Sequence, residues 1–136
     1  MRFYTIDHST RTLTELSSIL KQYGVEVLVD VRRFPGSKRC PHFSQQNLAT
    51  ELLRQGIRYV WQGELLGGFR KGGYRKYMET EEFTRGVSQL ERTVESGVTA
   101  LMCAEKLWFR CHRRYISDEL VRRGSEVAHI IDQKRT

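Results

Sequence analysis

The chain has 136 residues, with 23 Lys and Arg against 16 Asp and Glu and a formal net charge of +7. At roughly this size one domain buries about two-thirds of its unfolded surface, enough for a core that needs no disulfide staples. A hydrophobic share of 39% excludes a disordered chain, and no apolar run is long enough for a spanning helix.

Residues 2–6 read as a first strand. Over residues 12–23 the apolar positions Leu13, Leu16, Ile19 and Leu20 recur on one helical face, Thr12 and Glu15 form a capping box, and Gly24 supplies the stop. Residues 25–31 are rich in Val and Leu with acids only near the ends, the mark of a strand covered on both faces. A second helix is expected over 44–55, capped by Ser44 and ended by Gly56, and then a third strand over 57–61. Phe83, Val87, Leu90 and Val94 line one face of a long helix at 80–96, which Gly97 ends. A fourth strand follows over 98–103, a helix over 111–123 ended by Gly124, and a fifth strand over 126–131. Residues 133–136 read as a frayed tail, which leaves 1–132 as the domain.

Strand–helix alternation of this kind predicts an α/β fold: a single three-layer domain with an open, mostly parallel, Rossmann-like sheet of about five strands and helices on both faces. Strand order is not readable from the sequence. Ligands in such sheets nevertheless sit at the carboxyl ends of the strands. Three cysteines, an odd number, fit a reducing compartment, and the polar start lacks the apolar stretch of a secretory signal. A cytoplasmic protein with no membrane association is therefore expected, its oligomeric state left open.

The two longest non-periodic stretches, 32–43 and 62–73, follow the second and third strands. Long loops in a small domain are more often functional than accidental. Three windows, 32–39, 70–76 and 106–114, hold 12 of the 23 basic residues and no acid, so the remainder of the chain carries 11 basic against 16 acidic residues. A mildly acidic body with one positive edge predicts a polyanionic ligand, a nucleotide or nucleic acid. Gly67, Gly68, Gly72 and Gly73 would let backbone amides approach phosphate, although no Walker motif is present. Trp61, Phe69, Tyr74, Tyr77 and Trp108 interleave with the cations as stacking platforms would. The plainer reading makes Trp61 and Tyr77 core residues and the glycines turns.

Cys111 opens a helix beside Arg110, His112, Arg113 and Arg114, and helix amides with cations lower a thiol pKa. It reads equally as a nucleophile or a half-buried helix start. His112 is a candidate general acid/base or anion contact, with a structural role its rival. Cys103, at a buried strand end, reads as core. Asp30 lies two residues from Arg32 on one strand face, so an internal ion pair stands beside a catalytic role. Glu105, among cations, suits an orienting or nucleophilic role. His8 and Ser9 close the first strand at the same edge. Cys40, His42, Cys103, Cys111 and His112 match no zinc spacing, so no metal is expected and no cofactor is assigned.

Taken together, Thr5-Ile-Asp-His-Ser9, Leu28-Val-Asp-Val-Arg32 with Pro35 and Ser37, Leu66-Gly-Gly68, Tyr77-Met78, and Leu101-Met-Cys-Ala-Glu105 with Cys111-His-Arg113 resemble the family called domain of unknown function 488. The resemblance runs from residue 5 to 129 and departs at Asp7, where the family usually has Gly. It implies an α/β domain and an intracellular prokaryotic protein, and it implies no reaction. Asp30, Arg32, Glu105, Cys111, His112 and Arg113 coincide with the family's motif.

The expected function is an enzyme, a hydrolase or transferase, acting on a phosphate-bearing substrate. Arg32, Arg70, Arg110 and Arg113 would bind phosphate, and His8, Ser9, Arg33, Ser37, Gly67, Gly68, Tyr74 and Tyr77 would line the substrate. Glu105 and His112 would be the acid/base pair, with Cys111 as nucleophile and Asp30 beside them. The rivals are a non-catalytic nucleic-acid-binding module and an interaction domain for an acidic partner.

Overall fold

The computed structural model describes residues 1–9, 11–33, 43–68, 70–103 and 112–131. Along them run β1 (Arg2–Asp7), α1 (Leu13–Gln22), β2 (Val27–Asp30), α2 (Gln45–Arg54), β3 (Arg58–Trp61), α3 (Gly63–Leu66), α4 (Tyr74–Tyr77), α5 (Glu81–Val94), β4 (Thr99–Cys103), α6 (Arg113–Arg122) and β5 (Glu126–His129). The five strands form one sheet in the order β3-β2-β4-β1-β5, with every neighbouring pair parallel. This is the expected open α/β sheet.

Helix boundaries follow local chemistry. The Thr12 side chain accepts from the Glu15 amide and the Glu15 carboxylate accepts from the Thr12 amide, the capping box expected for α1. The Ser44 hydroxyl accepts from the Asn47 amide and the Thr80 hydroxyl from the Phe83 amide, one-way caps for α2 and α5. Gly24, with φ of 70°, turns the chain out of α1 in the left-handed region that glycine enters without strain.

Both sheet faces are covered. Leu16, Ile19 and Leu20 of α1 and Leu48 and Leu52 of α2 pack on Ile6, Leu28, Ala100 and Met102. On the other face Phe83, Val87 and Leu90 of α5 and Ile116 and Leu120 of α6 pack on Phe3, Val27, Val29 and Leu101. All four residues of β2 and all five of β4 are buried, as their apolar runs require. Cys103 is part of that core.

Connections that step toward β3 pass over the α1–α2 face, and those that step toward β5 pass over the α5–α6 face. The adjacent strands β2 and β4 consequently send their following helices to opposite faces. Residues 31–33 and the start of α6 meet at the carboxyl edge, where the His112 ring reaches the Val31 carbonyl. The 62–73 stretch, expected as a plain loop, contains the helical turn α3, and α4 follows it directly. Four-residue helices carry too little periodicity to be seen in a sequence. The tail at 133–136 lies outside the described residues.

Candidate functional site at the carboxyl edge

Asp30 ends β2 with no exposed surface. Its Oδ1 accepts from the Arg32 amide at 3.0 Å and from Arg32 Nε at 2.9 Å, while Oδ2 accepts from Arg32 Nη2 at 2.7 Å. Tyr59 of β3 donates its hydroxyl to the same Oδ2 at 2.6 Å. Four donors saturate the carboxylate, which is what a buried charge needs. Burial works against the charge on Arg32, but hydrogen bonding and the charge of Asp30 raise its pKa above the ordinary guanidinium value. Burial, with the Asp30 charge added, pushes the Tyr59 phenol far up. Asp30 and Arg32 thus form the internal ion pair that their spacing allowed. The pair fixes the guanidinium at the carboxyl end of β2.

The turn α3 lies close against this segment. Trp61 donates its indole Nε1–H to the Arg32 carbonyl at 2.7 Å. A Cβ at Gly63 would fall 1.9 Å from that carbonyl oxygen, and one at Gly67 would fall 2.5 Å from the Arg33 Cβ. Gly68 approaches the His112 ring, so that a Cβ there would meet Nδ1 at 3.2 Å. These glycines serve close approach between protein segments.

Arg70 donates from Nε to the Gly67 carbonyl at 2.8 Å and from Nη2 to the carbonyls of Gly63 and Glu64. Its guanidinium lies 4.0 Å from the centre of the Tyr77 ring. It therefore closes the carboxyl end of α3, where the carbonyls of Glu64 and Gly67 have no helical partner and that of Gly63 already accepts from the Gly67 amide. The hydroxyls of Tyr74 and Tyr77 donate to the carbonyls of Leu66 and Leu65 at 2.7 and 2.6 Å. Arg33 reaches the Gly68 carbonyl at 3.5 Å. Lys71, Arg75 and Lys76 remain exposed on the same turn.

His112 stands at the start of α6, and its Nε2 lies 2.8 Å from the Val31 carbonyl oxygen. Because a carbonyl only accepts, Nε2 carries the hydrogen and Nδ1 faces Gly68. The ring lies 5.4 Å from that of Tyr74, which also stacks on Tyr115 at 5.6 Å. Arg113 is 1% exposed in the first turn of α6. Its charge, after burial itself, helps depress His129 to a pKa of about 4. Thr5 Oγ1 lies within hydrogen-bond distance of His129 Nδ1.

Directly after β1, His8 is buried and stacks on Phe43, with ring centres 4.5 Å apart. The His8 amide donates to the Cys103 carbonyl at 2.9 Å. Ser9 follows with φ of 38°, a strained value for a residue with a side chain.

Of the residues expected at the site, Asp30, Arg32, Arg33, Gly67, Gly68, Arg70, Tyr74, Tyr77 and His112 come together on the β2–β3 side, and His8 and Ser9 close the neighbouring strand. Arg113 lies beneath, in the first turn of α6. Ser37, Glu105, Arg110 and Cys111 fall outside the described residues. Tyr59 and Gly63 were not singled out from the sequence. A strand tyrosine reads as packing until β2 and β3 pair, and a glycine after a strand reads as a turn. Among the described residues no three His, Cys, Asp or Glu side chains gather as metal ligands. Cys40, His42 and Cys111 lie outside that set.

A family model described as "Domain of unknown function DUF488" matches the chain over residues 12–73 and 68–120. No curated protein and no solved structure matches it.

Proposed function

The chain belongs to the DUF488 family, and for it we propose an enzyme of the hydrolase or transferase kind, acting on a phosphate-bearing substrate at the carboxyl edge of the sheet. The substrate class is a nucleotide or nucleic acid, and the setting is a prokaryotic cytoplasm. One observation carries the reading. The His112 ring contacts the Val31 carbonyl and Gly68, so the segments after β2, β3 and β4 close on a single point. The acid-free basic windows of the sequence belong to those same segments.

In this reading Asp30 is a positioning residue. It locks Arg32 by one edge of the guanidinium and turns a flexible cation into a preorganised anion donor. Arg33, Lys71, Arg75 and Lys76 supply the attraction that gathers a polyanion. His112 works as general acid/base, its ring held in place by the Nε2–H bond to the Val31 carbonyl. Cys111, one residue before His112, serves as nucleophile, and Glu105 orients or counterbalances the charge.

The test is a panel of nucleotides, phosphomonoesters and oligonucleotides, assayed for turnover by the purified chain. Turnover of one class, lowered at least about 100-fold in His112→Ala and Cys111→Ser, is expected. Activity unchanged in Cys111→Ser, Glu105→Ala and His112→Ala would overturn the assignment. The exposed trio Lys71, Arg75 and Lys76 favours a second reading, a non-catalytic nucleic-acid-binding module. That reading expects salt-sensitive binding and no turnover.

A further inference from the structure

A second surface, beside β3 and α5, shares no lining residue with the His112 cluster. Among the described residues β3 is an edge strand, paired with β2 alone in the sheet. The amides of Arg58 and Gln62 donate to β2 and its flank, at Glu26 and Asp30. In a parallel ladder the intervening residues turn their backbone groups the other way. The N–H and C=O groups of Tyr59 and Trp61 therefore face the open edge.

Beside this edge runs a groove of about 360 Å³, lined by Arg58 and Gln62 of the β3 segment and by Gln89, Arg92, Thr93 and Ser96 of the α5 segment. The spacing shows how it is built. Arg58 and Gln62 share a strand face, and positions 89, 92, 93 and 96 share a helix face. Arg58 donates to Ser96 Oγ at 2.9 Å at one end of the groove. At the other end Gln62 Oε1 is buried and has no hydrogen-bond partner among the described residues. Thr93 and Ser96 already donate to the carbonyls of Gln89 and Thr93, so their oxygens present only acceptor capacity. The groove thus offers guanidinium donors from Arg58 and Arg92 and an unmet demand for an N–H donor at Gln62.

We propose that this groove and the open edge of β3 bind an extended acidic peptide segment of a partner protein. Its backbone pairs along Tyr59 and Trp61, one of its amide N–H groups donates to Gln62 Oε1, and carboxylates at alternate positions meet Arg58 and Arg92. A peptide fits better than an isolated anion because the site asks for amide donors as well as for negative charge. Edge strands recruit extended chains in this way, with main-chain bonds giving affinity and alternate side chains giving specificity. The proposal is independent of the phosphate reading at the carboxyl edge.

The test is a titration of the isotope-labelled full chain with the pentapeptide Val-Glu-Val-Glu-Val, followed by backbone amide shifts. Saturable shifts confined to residues 58–62 and 89–96 are expected. Arg58→Glu with Arg92→Glu, both at exposed positions, should weaken that peptide at least about tenfold and create binding of Val-Lys-Val-Lys-Val. Methylation of the peptide's amide nitrogens should abolish binding with the protein unaltered. No binding at millimolar peptide, or binding indifferent to the charge reversal, would overturn the proposal. So would the same shifts with inorganic phosphate alone, which mark a simple anion site, or a concentration-dependent dimer of the free chain through this edge.

Discussion

Tyr59 donates its hydroxyl to Oδ2 of Asp30 at 2.6 Å, closing a carboxylate that already holds Arg32 through Nε and Nη2. An edge strand thereby steadies the charged pair at the end of its inner neighbour. The pair is buried, so its two halves depend on each other far more than a surface ion pair would.

Asp30→Asn is expected to destabilise the chain by about 3–5 kcal/mol, because it leaves a buried guanidinium without its counter-charge. Tyr59→Phe removes one hydrogen bond to a charged acceptor and should cost about 1.5–3 kcal/mol. Chemical denaturation of the two variants checks the order. Equal losses would show that the ion pair is not the dominant part of the network.

The same network predicts an alkaline limit. Burial and the Asp30 charge raise the Tyr59 pKa in the folded chain above the unfolded value of about 10. The folded state therefore holds the phenolic proton more tightly, and this contribution is complete below about pH 10 and lost as pH rises further. Tyr59 should be the last of the six tyrosines to ionise, with Tyr77, whose phenol burial also raises, ionising late as well. Ultraviolet titration should show a late step in the wild type that shrinks by one phenol in Tyr59→Phe; an unchanged late step would assign it elsewhere.

His129 sets an acid limit of opposite sign. Burial and then the Arg113 charge lower its pKa to about 4 from an unfolded value near 6.5. Between these values the unfolded chain binds the extra proton, so stability is full above about pH 6.5 and falls as pH drops toward 4. Because the ring is half-buried, the loss should be only about 1–2 kcal/mol after solvent screening. His129→Gln should flatten that part of the stability–pH profile. A slope unchanged in this variant would assign the acid limb to the carboxylates.

Two glycine-to-alanine changes separate crowding from backbone strain. At Gly63 the new methyl would fall 1.9 Å from the Arg32 carbonyl oxygen, whereas at Gly24 nothing lies within 4 Å and only φ of 70° opposes it. Gly24→Ala should cost about 1–2 kcal/mol, and Gly63→Ala more, with altered Trp61 fluorescence as α3 is pushed from Arg32. Thermal melts and tryptophan emission read both effects.

Replacing Lys71, Arg75 and Lys76 together by Gln should lower oligonucleotide affinity without changing the melting temperature, because all three are exposed. The slope of log K against log salt should fall by about 2–3, close to one per lost phosphate contact. An unchanged slope would remove this turn from the polyanion surface.

The elements were legible wherever the signal is local. Thr12 and Glu15 announce α1, Leu48 and Leu52 mark the inner face of α2, and the unbroken apolar runs of β2 and β4 declare strands buried on both sides. The candidate site was legible as a place: the residues gathered on the β2–β3 side are mostly those whose position after a strand singled them out. Their individual occupations were not. Arg70 reads in sequence as one more cation in a basic window, yet its donors close the end of α3. Tyr74 and Tyr77 read as stacking platforms, yet their hydroxyls hold the carbonyls of Leu66 and Leu65.

By itself, then, the sequence determined the kind of sheet, the helix ends and the concentration of positive charge in the segments that follow the strands. Periodicity, caps and composition are properties of neighbours along the chain, and they survive without knowledge of the fold. Only the tertiary structure decided the strand order β3-β2-β4-β1-β5, the parting of the chain between β2 and β4, and the contact of His112 with Val31. It also decided that Arg32 is gripped by Asp30 and Tyr59 while Lys71, Arg75 and Lys76 face solvent. The physical reason is that a charged or hydrogen-bonding side chain takes its role from whatever lies within about 3 Å of it. In a parallel sheet that partner sits on another strand, a whole crossover away along the chain.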